Sequence, residues 1–215
     1  MINSLRVTET FLSLQGETSF TGQLTFFIRL TGCPLRCQYC DTAYAFEGGQ
    51  QHPIDALVAA ANASGACYIT VTGGEPLAQK ATLNLLTALC DQGLIVSLET
   101  SGALDYSDVD QRVIKIVDIK TPGSGEVGRN QWAGLARLNR QDQIKFVICD
   151  RDDYLWSKFK IEEFELDQQV NEILFSPSQQ QLSAKALANW IIEDRLRVRM
   201  QIQLHKVLWG DVPGK

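Results

Sequence analysis

The apolar positions of this chain fall into short runs, each closed by a polar stretch that carries glycine or proline. Residues 7–14 could form a first strand, closing with Gln15-Gly16-Glu17, where Gly16 permits a tight turn. A polar turn over 18–22 follows, then a run over 24–30 that reads as a buried strand. Further runs predict strands over 66–71, 94–98, 113–117, 143–148 and 172–175. Between them apolar residues recur at helical spacing: Ile54, Leu57, Val58 and Ala61 after Pro53, then Leu77, Ala81, Leu85 and Leu89, then Leu182, Ala186, Trp190 and Ile191. The charged stretch 151–165 predicts a surface helix. Residues 198–204 alternate strictly, which predicts a last strand. Val198, Met200, Ile202 and Leu204 take one face of it; Arg199, Gln201, Gln203 and His205 take the other.

Strands alternating with helices predict an α/β fold with a parallel sheet and right-handed crossovers. About six such units are too few for a closed eight-stranded barrel. The expectation is therefore a partial, open parallel (β/α) barrel in a single domain over 1–215. The polar stretches follow strands, and folds of this kind place their sites at the carboxyl ends of strands.

One of those stretches, Cys33-Pro34-Leu35-Arg36-Cys37-Gln38-Tyr39-Cys40, holds three cysteines at C-x3-C-x2-C spacing on the loop leaving strand 24–30. Three thiolates on one tight loop can wrap three corners of an iron–sulfur cube, and such clusters usually take four cysteines. No fourth lies nearby, so one iron would stay open to a small chelating ligand. A structural zinc site wants a closed set of four ligands. His52 and His205 lack ligand spacing, which leaves zinc, and unligated thiols, as the lesser alternatives. With Cys33, Cys37 and Cys40 as ligands, the stretch resembles the radical S-adenosylmethionine (SAM) enzymes. The resemblance implies a [4Fe-4S] cluster whose open iron binds SAM and whose electron splits it to a 5′-deoxyadenosyl radical.

Composition narrows the partners. A net charge of −5 gives no broad basic field, which argues for a small-molecule substrate and against nucleic acid. No apolar run approaches the roughly 20 residues of a membrane span. The opening Met1-Ile2-Asn3-Ser4-Leu5-Arg6 lacks a signal-peptide core, so the cytoplasm is the expected location and no membrane partner is expected. The remaining Cys67, Cys90 and Cys149 sit in apolar contexts and read as core thiols.

Other motifs carry two readings each. In Thr72-Gly73-Gly74-Glu75-Pro76 the paired glycines let backbone approach a ligand, while a plain strand-to-helix turn also explains them. Beside the cysteine triplet the motif resembles the GGEP element of radical SAM enzymes, which implies that Gly74 contacts SAM. Glu99-Thr100-Ser101-Gly102 could present Glu99 and Ser101 to a ribose, or cap a helix. Lys120, after Asp118, needs an anion if buried: the SAM carboxylate, or Asp118 itself. The resemblance also puts Tyr39 and Asp41 beside SAM. Arg29 could grip a carboxylate with its forked guanidinium, or serve a structural ion pair. Thr42 could offer magnesium a hard oxygen, though from the residues alone Asp41-Thr42 is a turn. His205 reads as a packed or exposed histidine, and its place beside Gln203 on a polar row favours a site role modestly.

Taken together, Phe11 to Glu17, Arg29 to Cys33, Cys40-Asp41-Thr42, Thr72 to Pro76, Glu99 to Gly102, Asp118 to Glu126 and Gln201 to Lys206 resemble one branch, the 7-carboxy-7-deazaguanine synthases of queuosine and 7-deazapurine synthesis. Leu14-Gln15-Gly16-Glu17 and Cys40-Asp41-Thr42 are the branch-specific part. Some members carry a long insertion between the first two cysteines, which this chain lacks, so contacts from that insertion do not carry over. The resemblance implies a pterin substrate, 6-carboxy-5,6,7,8-tetrahydropterin, bound by Leu14, Gln15, Gly16, Glu17, Arg29, Thr72 and His205, with Arg29 on its carboxylate. It implies hydrogen abstraction at C6, ring contraction, loss of ammonia and return of SAM. It implies Mg2+ held through Thr42, an electron donor such as flavodoxin, and a homodimer. A glycyl-radical enzyme activase shares the cysteine spacing and the glycine turn but would need neither Arg29 nor Thr42. A cluster- or zinc-stabilised binding module is the non-enzymatic alternative.

Overall fold

The first two apolar runs pair as an antiparallel hairpin, β1 (Ser4–Leu14) and β2 (Leu24–Leu30). The computed structural model describes residues 3–179, 181–210 and 212–214; Met1 and Ile2 of the opening stretch lie outside the described residues. Next come β3 (Gln50–Pro53), α1 (Ile54–Ala63), β4 (Tyr68–Gly73), α2 (Thr82–Asp91), β5 (Ile95–Thr100) and β6 (Ile114–Ile119). The chain continues with β7 (Gln143–Ile148), α3 (Arg151–Glu163), α4 (Leu166–Gln169), β8 (Glu172–Pro177), α5 (Ala184–Asp194), β9 (Arg199–Met200) and α6 (Leu204–Trp209). One nine-stranded sheet runs β3-β1-β2-β4-β5-β6-β7-β8-β9. From β2 onward its six pairings are all parallel, which makes the expected open, partial barrel. The edge strand β3 was not legible in the apolar pattern, because Gln50-Gln51-His52-Pro53 has no alternation and pairs with β1 through its backbone.

Alternation along the parallel strands divides the molecule into two faces. Outward residues such as Ile28, Ile69, Val71, Leu98, Ile144, Phe146 and Phe175 are buried in one core with residues of the helices, among them Leu57, Leu85, Tyr154 and Leu187. Each such side chain contributes about 1.5–3 kcal/mol on burial. Inward residues are mostly polar, among them Thr70 and Thr72, Ser97 and Glu99, Asp118, Lys145 and Ser176, with Phe27, Ile116 and Val147 as apolar exceptions. The core is thus held by one face while the other is left for chemistry.

Four sequence expectations are corrected. The helix expected from Leu77 to Leu89 is broken into a 3-10 turn, Pro76–Ala78, and α2. Gln79 lies extended between them, because its amide side chain bonds Arg6 N, Arg6 O and Thr31 O. The expected last strand shrinks to Arg199–Met200. There the Gln201 side chain turns inward, accepting from Thr18 N at 2.7 Å and donating to Ser176 Oγ at 2.9 Å. Ile202 is left exposed, and Leu204 N bonds Gly16 O at 3.0 Å as α6 begins. Side-chain anchoring, not apolar alternation, decides that segment. The charged helix α3 is half interior, with Tyr154 and Ser157 fully buried. Cys67 is exposed, whereas Cys90 and Cys149 are buried. No helix among the described residues is long and apolar enough to cross a membrane.

Candidate active site

The carboxyl ends of the strands open into a cavity of about 550 Å³, and every residue singled out above for cluster, cofactor, magnesium or substrate lines it. The cysteine loop leaves β2 and is pinned at several points. Gly32 N donates to Ala45 O at 2.8 Å, Glu75 N donates to Gly32 O at 2.8 Å, and Gln38 N donates to Ser124 O at 3.0 Å. The paired glycines serve this packing. A Cβ on Gly74 would lie 2.3 Å from Gly32 O and 2.9 Å from Cys33 Cβ; one on Gly73 would lie 2.3 Å from Leu30 O. Only hydrogen fits where the turn after β4 meets the root of the cysteine loop.

Cys33, Cys37 and Cys40 are free and half-buried. Burial pushes the Cys37 thiol up to about 11 and raises Cys33 as well. Among the described residues no three Cys, His, Asp or Glu side chains gather closely enough for a single ion. Three thiols from one tight loop, all lining this cavity, can supply three corners of a cluster but fall short of the four ligands of a structural zinc site. The donor set therefore fits an iron–sulfur group.

Beside the thiols, Asp118 pairs with the buried Lys120 at 3.1 Å, and the Lys120 ammonium stands 5.8 Å from the Tyr39 ring centre. So the structural-pair reading of Lys120 holds in its geometry. Asp118 Oδ1 and the Tyr39 hydroxyl, by contrast, are buried in a wall of the cavity with no hydrogen-bond partner among the described residues. Orphaned polar atoms of this kind want a ligand or water. Ser101 caps no helix, since none follows it. Its N–H and hydroxyl both donate to Glu75, at 2.7 and 2.5 Å.

On the opposite wall the turn after β1 meets the C-terminal segment. Gln15 Nε2 donates to Thr70 Oγ1 at 3.1 Å, and the Thr72 hydroxyl donates to Glu99 at 2.8 Å. Burial and the neighbouring Glu17 charge push the Glu99 carboxyl up. Burial would raise Glu17 too, but its Lys145 partner brings it below the usual carboxylate range. Gly16 backs onto His205, whose Nδ1 would stand 2.2 Å from an added Cβ. Burial lowers the His205 pKa, against the pull of Glu17 and Asp41, so the imidazole is neutral near pH 7. Arg29 is not a free clamp: its Nε donates to Glu9 at 2.8 Å, and the Tyr44 hydroxyl donates to the same oxygen. Asp41 accepts from Thr42 at 2.9 Å, Gln203 at 3.1 Å and Lys206 at 2.9 Å. Burial opposes its ionisation, yet those partners hold it well below the usual range.

Among the cavity residues that sequence reading passed over are Lys145, Gln203 as a ligand of Glu17, and Lys206. Lys145 did leave a signal, a charge inside an apolar strand run. The other two required knowing that the chain's last segment folds back over its first turn.

Comparison with known proteins follows the same lines. The family description "Radical SAM superfamily" matches residues 27–119. The 7-carboxy-7-deazaguanine synthase of Chlorobaculum tepidum is 44% identical over 209 residues, covering 96% of this chain and 94% of that protein. That of Koribacter versatilis is 39% identical over 220 residues, covering 95% and 97%. In fold, the chain is similar to the crystal structure of QueE from Escherichia coli, with a TM-score of 0.78 at 24% identity over 94% of this chain and 95% of that one.

Proposed function

This chain belongs to the 7-carboxy-7-deazaguanine synthase family of radical SAM enzymes, and from that premise we propose that it converts 6-carboxy-5,6,7,8-tetrahydropterin to 7-carboxy-7-deazaguanine with loss of ammonia. The family implies a [4Fe-4S] cluster and SAM. The observation that carries the proposal is convergence: three thiols, the glycine turn, orphaned polar atoms and the charged side chains of Glu17, Arg29 and Lys145 all line one cavity of about 550 Å³.

In this reading Cys33, Cys37 and Cys40 hold the cluster, and Tyr39, Asp41, Gly74, Glu99, Ser101, Asp118 and Lys120 receive SAM. When bound, these two groups supply the radical that takes hydrogen from C6 of the pterin. The chain's own residues bind, orient and exclude water. Leu14, Gln15, Gly16 and Thr72 shape the recess. Glu17, held ionised, accepts hydrogen bonds from ring N–H groups, and Arg29 meets the substrate carboxylate with the donors that Glu9 leaves free. His205 stays neutral and can hold a proton at one ring nitrogen only. Thr42 donates its hydrogen to Asp41, which leaves its oxygen lone pairs for Mg2+ completed by substrate and water. Membership of this family implies a cytoplasmic homodimer, which the open sheet accommodates, and an electron donor such as flavodoxin.

The test is anaerobic incubation of the reconstituted protein with reductant, SAM, magnesium and the carboxypterin, read by mass spectrometry. The deazaguanine should appear while SAM is conserved. SAM cleavage without that product, with or without the pterin, would point to an activase instead.

A further inference from the structure

Two lysines stand inside strands of this sheet and face opposite ways. Lys115 on β6 lies on the core side, paired with a fully buried Asp142 at 3.0 Å, and has no part in the cavity. It belongs to the fold. Lys145 on β7 lies on the cavity side. Its ammonium contacts the Glu17 carboxylate and stands 3.9 Å from Asp118, its register partner on β6. These two carboxylates come from different walls. Glu17 belongs to the turn beside Gln15 and Gly16; Asp118 belongs to the strand end beside Lys120 and the cysteine loop. The other oxygen of Glu17 accepts from Gln203 at 2.9 Å. Glu17 is thus held at both oxygens, and a carboxylate this far out of water needs such a cation to stay charged.

We propose that Lys145 is a positioning residue for the substrate, fixing Glu17 as an acceptor aimed into the cavity and tying it through Asp118 to the cofactor wall. The proposal rests on the functional reading above. Lys145 acts through Glu17 and need not touch the pterin. Without it, Glu17 would lose the ammonium that its Oε2 contacts, beside Glu99 and Asp41, two further carboxyl groups. His205, Lys206 and Lys120 complete the charged and titratable surroundings on the facing elements.

The experiment measures carboxypterin binding by calorimetry in the presence of SAM, together with KM and kcat, on the reconstituted enzyme. Lys145→Met should weaken binding and raise KM on the order of 10- to 100-fold, the worth of one charge-assisted contact, with a much smaller change in kcat. Lys145→Arg should recover binding to within about fivefold of wild type, because the charge is kept. Glu17→Gln added to Lys145→Met should cost less than about threefold more, since the two act as one unit. Binding unchanged within about twofold, with only the melting temperature lowered, would assign the pair to the fold and overturn the proposal. Should Lys145→Met fail to fold, Lys145→Gln is titrated with the same two outcomes. A wild type that neither binds nor converts the carboxypterin refutes the functional reading; a competent wild type with an unaffected variant refutes only the role of Lys145.

Discussion

Replacing Glu75 by glutamine perturbs the site without touching a cysteine. The Glu75 side chain is fully buried, and both of its oxygens face a backbone N–H. Oε1 accepts from Leu77 N at 3.0 Å and the Thr100 hydroxyl at 2.9 Å. Oε2 accepts from Ser101 N at 2.7 Å and the Ser101 hydroxyl at 2.5 Å. An amide has one oxygen, so whichever way Glu75→Gln turns, its NH2 meets the N–H of Leu77 or of Ser101. One buried N–H left unpaired costs about 1–3 kcal/mol, and the charge-assisted bond lost with it about 1.5–3 kcal/mol. The sum, about 2.5–6 kcal/mol, lowers the melting temperature by roughly 5–24 °C in a chain of this size. Thermal unfolding of the cluster-free protein by circular dichroism reads that loss directly. Iron content after reconstitution should fall in parallel, because Glu75 N also holds Gly32 at the root of the cysteine loop. A melting temperature within about 2 °C of wild type would show that this carboxylate braces nothing.

Other consequences can be checked at single positions. Gly74→Ala forces a methyl against Gly32 O and should cut iron incorporation severalfold; wild-type iron content in this variant would contradict the close approach described here. Thr42→Ala should raise the magnesium concentration needed for half-maximal turnover while leaving iron and sulfide content unchanged, and an unshifted magnesium titration would remove Thr42 from that role. Asp41, whose folded pKa lies below its ordinary 3.8, contributes stability that is complete above about pH 4 and is lost as the pH falls through the folded value. Asp41→Asn should therefore flatten the acid side of a plot of melting temperature against pH. An equally steep acid limb in the variant would contradict the Lys206 and Gln203 pairing.

How much of this was legible in the sequence depends on what kind of interaction decided each part. Parallel strands such as Gln143–Ile148 and the helix over Ile54–Ala63 were readable, because burial on a periodic face sets them. So were the site motifs, since each sits where a strand ends. The break at Gln79 and the turn at Gln201 were not readable. There a single amide side chain satisfies distant backbone groups, and no local pattern announces its partners. Arg29 shows the same limit within the site. Its position was legible, but its pairing with Glu9 depends on the register of β1 against β2. Lys145 was visible as a misplaced charge, yet its meaning appeared only when Glu17 and Asp118 were found on either side of it.

The most direct trial of the three-thiol centre is electron paramagnetic resonance of the anaerobically reconstituted, reduced protein, recorded before and after SAM is added, with iron and sulfide counted on the same sample. About four irons and four sulfides per chain, with a cluster signal that changes shape when SAM binds, is the expected result. One zinc and no sulfide, or a cluster signal indifferent to SAM, would contradict it.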